Sequence, residues 1–158
     1  MFEANPIAVI EARGGGALYQ VTLRMSHDFQ AAAATGERDA PGRIIDFWGG
    51  TGVFAGMREA VQAYCRQTIT ANVLDWQSAF GFAVAPQRLA ALDVPVLLVR
   101  GALANPTMAQ ITDVLREDLP RVQDFAVEGA GHFLVTTHAA KCAELLGSFL
   151  EGVEAVAG

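Results

Sequence analysis

Residues 92–101 read LDVPVLLVRG, four consecutive apolar residues at 96–99 with no polar residue alternating among them. A strand with one face in water alternates. A β-branched and leucine run without alternation is a strand covered on both faces, as in parallel sheets flanked by helices. Such a strand requires helices from the rest of the chain, so the run points to an α/β fold. The residues beyond Gly101 fit that requirement. Thr107 is the expected cap of a helix turning Ile111, Val114, Leu115 and Leu119 inward and stopping at Pro120. VQDFAVEGAG at 122–131 reads as a second strand ending in a glycine turn, and 135–150 as a last helix with Ala139, Cys142, Ala143, Leu146, Phe149 and Leu150 on one face. Strand, helix, strand and helix make a right-handed parallel unit, whose ligands lie outside the carboxyl ends of the strands. The turn at 101–105 and the string Gly129-Ala130-Gly131-His132 both fall at that end. Two parallel strands leave open apolar edges, so further pairing is expected.

The first half is helical in pattern. MFEANP gives a short β-like start and an Asn-Pro turn, and Gly14-Gly15-Gly16 interrupts any regular element. Leu18, Val21, Met25, Phe29 and Ala32 then share one face of a helix over 17–35, which Gly36 ends. A short helix over 43–48 is entered through Pro41, and GGTG at 49–52 breaks the chain before a third helix over 54–70. Its packed side carries Phe54, Met57, Val61, Tyr64, Cys65, Thr68 and Ile69; Trp76 and Phe80 continue the stripe into a fourth helical piece.

With 158 residues, 52% of them hydrophobic, the chain has enough apolar material for a core. A net charge of −6 with scattered basic residues gives no footprint for nucleic acid or anionic lipid. Cys65 and Cys142 sit in helix-like apolar patterns and are expected as buried thiols in a reducing compartment. No stretch has the run of about 18 apolar residues of a membrane span, and the acidic start lacks a signal peptide's basic region. A cytoplasmic location is the expectation. Phosphate loops, paired-cysteine metal motifs and dinucleotide fingerprints are missing from the sequence, so no cofactor and no metal are expected.

VPVLLVRG with its turn, the helix ending in Leu119-Pro120, VQDFAVEGAGHF and the final helix ending in GSFL together resemble the C-terminal portion of the α/β-hydrolases. The resemblance implies a partial α/β-hydrolase fold: 1–16 as the end of a core strand and a flexible connection, 17–91 as the helical cap or lid, and 92–158 as the C-terminal core portion. His132 would be the general base, since imidazole titrates near neutral pH and the glycines beside it keep its loop narrow. Structural alternatives for His132 are a helix cap or a turn filler.

A nucleophile is not legible. GxSxG does not occur, GGTG lies between helices, and Ser26, Ser78 and Ser148 all fall in helical patterns. Ser26-His27-Asp28 stand side by side, but neighbouring helical residues point about 100° apart and form no relay. The turn after the first strand has no carboxylate; Asn105 there could bond the ring without stabilising its charge. Some members of the family hold the acid after the sixth strand, and Glu3 in FEANP is the matching candidate, against the commoner fate of a surface carboxylate. Phe47, Trp48, Phe54, Trp76, Phe80 and Phe82 make an aromatic stripe. Trp48, Phe54, Trp76 and Phe80 are the candidates for walling an apolar substrate pocket, with ordinary helix packing as the alternative.

The resemblance thus implies hydrolysis of an ester or related small apolar substrate, with His132 and Glu3 in this chain and the nucleophile on a segment outside it. The chain alone is then expected to be inactive: a truncated product, one piece of a split protein, or a sequence with Met1 as an internal start. Its expected partners are the missing N-terminal hydrolase segment or a second copy meeting it through the strand edge. The competing reading is a non-catalytic remnant acting as a binding module. A plain helical bundle is disfavoured by the β-branched run.

Overall fold

A computed structural model describes residues 1–157. In chain order its elements are α1 (Ala8–Ala12), α2 (Gly16–Ala34), α3 (Pro41–Gly49), α4 (Val53–Gly56), α5 (Glu59–Gln67), α6 (Ile69–Gly81), α7 (Pro86–Ala90), β1 (Val96–Gly101), α8 (Pro106–Asp118), β2 (Val122–Val127), α9 (Leu134–Thr137) and α10 (Ala139–Ala157). The chain is mixed α/β and mostly helical, with a parallel sheet at its centre. β1 and β2 pair in the register Val96↔Val122 to Gly101↔Val127.

The other edge of β1 is paired too. Val99 N–H donates to the Met1 carbonyl and Glu3 N–H donates to the Val99 carbonyl, both at 2.9 Å, making a parallel bridge at Phe2. FEANP therefore begins with a bridge to β1, in keeping with its β-like pattern, and β1 is paired on both edges. Its continuous apolar run has the expected cause. Leu98 packs on α8 through Met108, Ile111, Val114, Leu115 and Leu119. Leu97 and Val99 pack with Ala130, Leu134 and Cys142, with Leu145 and Phe149 of α10 partly buried against them. β2 is the edge strand, and Gln123, Asp124, Phe125 and Ala126 on it are exposed.

One core joins the helical stretch to the sheet. Ile7, Val9 and Ile10, then Met25, Phe29, Ile44, Trp48 and Trp76, pack in the same cluster as Leu98 and α8.

Four local expectations are corrected. The single helix expected over 54–70 is three, because the backbone turns extended at Met57 and Arg58 and breaks again at Thr68. The Gln62 amide bonds the Ala55 and Met57 carbonyls left unpaired at the first break, at 3.3 and 2.9 Å. A periodicity that keeps its face across a break does not reveal the break. On α2 Val21 is exposed, while Thr22 and Ser26 are buried in its stripe; the stripe rotates because the Thr22 hydroxyl meets that of Thr107 at 3.1 Å. α8 is capped by Asn105, whose side chain accepts from Thr107 N–H at 2.7 Å, with Pro106 at the first helical position. Finally, the strand expected from Leu92 starts at Val96; Leu92 and Val94 stay exposed ahead of it.

Candidate functional site

The site forms where β1 ends. Gly101 closes the strand against the histidine loop so tightly that a Cβ there would lie 2.3 Å from the Ala130 carbonyl oxygen and 2.6 Å from that of Gly131. No side chain larger than hydrogen fits between these two backbones. Two hydrogen bonds stitch them: Ala102 N–H to the Val127 carbonyl at 2.9 Å and Leu103 N–H to the Ala130 carbonyl at 2.8 Å. Gly129 turns the chain with φ 70°, and Ala130 beyond it is fully buried. His132 is thereby fixed over the carboxyl end of β1.

Glu3 arrives from the neighbouring edge. It is the one non-glycine residue with positive φ, 46°, among those described, and a left-handed backbone at such a residue costs on the order of 1–3 kcal/mol. The conformation brings its carboxylate back over the strand end. Oε1 accepts from Gly101 N–H at 2.8 Å, and Oε2 forms a short hydrogen bond with His132 Nδ1. Glu3 is buried and His132 nearly so. With Nδ1 held by the carboxylate, the neutral ring carries its proton there and its lone pair on Nε2. No described residue forms a hydrogen bond with Nε2.

The helical half reaches the same point through α3. The Asn105 amide, besides capping α8, donates to the Phe47 carbonyl at 2.9 Å, and so ties the end of α3 to the end of β1. The expectation that Asn105 could reach the imidazole gives way to this bridge. Trp48 stacks on His132 with ring centroids 5.2 Å apart and planes at 27°, and is backed by Trp76 at 5.8 Å and 21°. Gly49 sits beneath Phe133, where a Cβ would come within 2.6 Å of the ring. The Trp48 indole N–H is buried without an acceptor among the described residues, which costs about 1–3 kcal/mol.

Glu3 and His132, 129 positions apart, therefore meet. Of the four aromatic candidates Trp48 touches the imidazole, Trp76 stands one ring behind it, and Phe80 lies behind Trp76 and against Tyr19 at 5.7 Å. Phe54 packs elsewhere, under the Arg66 guanidinium at 5.5 Å. Ser26 is buried in α2, accepting from the Gln30 amide, while Ser78 and Ser148 are exposed on α6 and α10. None of the three bonds His132. His27 is exposed and His138 precedes α10. No cluster of three or more metal-ligating side chains occurs among the described residues. Among them, no helix is long and apolar enough to cross a membrane. Behind the loop, burial pushes the Cys142 thiol up from its ordinary value, and it donates weakly to the Leu134 carbonyl.

Sequence reading missed the Gly101 N–H as the second anchor of Glu3 and the Asn105–Phe47 bridge. A glycine closing a buried strand was the available sign of the first. Nothing local signals the second, which joins residues 58 positions apart. Two cavities, about 680 and 590 Å3, lie at the opposite end of β1, around Pro95–Gln123 and Leu97–Leu119 respectively. Compared with family models, curated proteins and solved structures, the chain gives no match.

Proposed function

We propose that this chain is the base-bearing part of an α/β-hydrolase-type enzyme that cleaves esters or related small apolar substrates. The observation that carries the reading is the Glu3 carboxylate, held at once by Gly101 N–H and His132 Nδ1 at the carboxyl end of a buried parallel strand. In this reading His132 Nε2 takes the proton of a nucleophilic hydroxyl as that oxygen attacks the acyl carbon. The Glu3 carboxylate stabilises the imidazolium, which then returns the proton to the departing alkoxide. The nucleophile and the oxyanion donors belong to a segment outside these 158 residues, placed against the sheet.

The second reading, a non-catalytic binding module, draws support from the apolar cavity of about 590 Å3 lined by Leu97, Leu115, Leu119, Leu146 and Phe149.

Hydrolysis of short-chain aryl esters separates the two. The DNA ahead of the Met1 codon is expected to encode an in-frame strand followed by GxSxG. The chain alone should be no faster than its His132→Ala variant, and a polypeptide joined to that segment should be active and lose at least about a thousandfold on the same substitution. Hydrolysis by the unaided chain that disappears with His132 overturns the placement of the nucleophile; a joined polypeptide indifferent to His132 overturns the base.

A further inference from the structure

Trp48 is 4% exposed, and its N–H has no acceptor among the described residues, a cost that phenylalanine at this place would not carry. What indole offers over a benzene ring is a more negative face, the best among side chains for a cation. The group on that face is the imidazole of His132 at 5.2 Å, inside the roughly 6 Å reach of a cation–π contact. Trp76 also stacks on the indole, at 5.8 Å and 21°, so the indole cannot tilt away without displacing a second large ring. Asn105 on the Phe47 carbonyl and Phe133 over Gly49 hold the backbone on both sides of Trp48.

We propose that Trp48 is a positioning residue for proton transfer at His132, fixing the imidazole by its face and stabilising the imidazolium formed when Nε2 takes a proton. This rests on the reading of His132 as the base. Charged groups on the adjoining elements are otherwise engaged or exposed. The Asp46 carboxylate of α3 accepts from the Gly52 and Phe54 amides. Arg100 of β1 donates to the Gly101 carbonyl, Glu128 is exposed, and His138 meets the Thr137 hydroxyl. Glu3 holds the ring by its edge and Trp48 by its face.

The test replaces Trp48 in the 158-residue chain with tryptophan analogues carrying one, two and four fluorines on the benzo ring, which weaken the π face and keep the shape. The ratio of imidazolium to imidazole at His132 is read by NMR at one pH near 6.5, where a free imidazole is half-titrated. The ratio should fall stepwise, by about three- to tenfold at four fluorines, while the ring 15N shifts still report the Nδ1 proton on Glu3. Trp48→Leu should lie at or below the low end if it folds; the fluorinated series does not depend on that. A ratio flat across the series overturns the proposal and leaves the aryl-ester result standing. A falling series with hydrolysis indifferent to His132 overturns the base reading instead.

Discussion

Glu3 concentrates the hydrogen bonding of the site in a single side chain, and its left-handed backbone suits that arrangement because the carboxylate must turn back on the strand it has just paired. Glu3→Gln keeps an acceptor for Gly101 N–H only if its amide N–H faces His132. The ring would then accept at Nδ1 and carry its proton on Nε2, where a base needs a lone pair. Ring 15N shifts should therefore report a change of tautomer, and the joined enzyme should lose about ten-thousandfold in rate; an unaltered tautomer counts against Glu3 as the orienting acid. Cys142 loses its proton at higher pH than an exposed thiol, because burial disfavours the thiolate. Its raised folded value means that the neutral thiol's contribution to stability is complete below the ordinary thiol range and is lost as pH climbs through the raised value. At pH 8 iodoacetamide should label half-buried Cys65 at least about tenfold faster than Cys142, with equal rates in denaturant. Glu3 and His132 were both legible as candidates from the sequence. Their pairing as base and orienting acid was expected only through the family resemblance, because nothing in residues 4–131 encodes locally that the two ends of the chain share a strand end.

At the level of elements, β1 organises everything else. Leu98, 2% exposed between α1, α3 and α8 residues of the main core, should cost about 2–5 kcal/mol when cut to alanine, read as a shift in the urea midpoint. Gly101→Ala tests a different property, because its Cβ meets backbone carbonyls that have no rotamer to change. That variant should lose stability and also lose the Nδ1–Glu3 signature, whereas Leu98→Ala should keep it; Gly101→Ala with an intact signature would show that the strand end and the histidine loop are not rigidly matched. The unalternating run announced β1, and the 3.6-residue period announced α8, since burial on a regular element repeats with that element's geometry. The breaks between α4, α5 and α6 left no such trace. The first is stabilised by Gln62, whose amide reaches the Ala55 and Met57 carbonyls, while Arg66 ties α5 to Asp39 ahead of α3.

For the whole molecule, the question is what holds the helical half to the sheet. Besides the shared core there is a fully buried pair, the hydroxyls of Thr22 and Thr107. Thr22 donates to the Leu18 carbonyl at 2.9 Å, so Thr107 is the donor between them. Thr22→Val strands that donor and should cost about 1–3 kcal/mol; adding Thr107→Val should restore most of it, since a pair replaced by apolar groups of like shape is near neutral. Urea unfolding of both single variants and the double variant checks this, and simple additivity would remove the bond as a link between the halves. The sequence by itself determined the α/β character, the two strands and most helices, because periodicity and glycine turns are written locally; His132 and Glu3 were singled out through the resemblance to the α/β-hydrolases. Only the tertiary structure decided that Glu3 grips Gly101 and His132 together, that Trp48 alone of the aromatic candidates reaches the imidazole, and that Asn105 serves α3 instead of the ring. Those are contacts between residues tens of positions apart, and their partners are selected by which faces the packed core leaves facing each other.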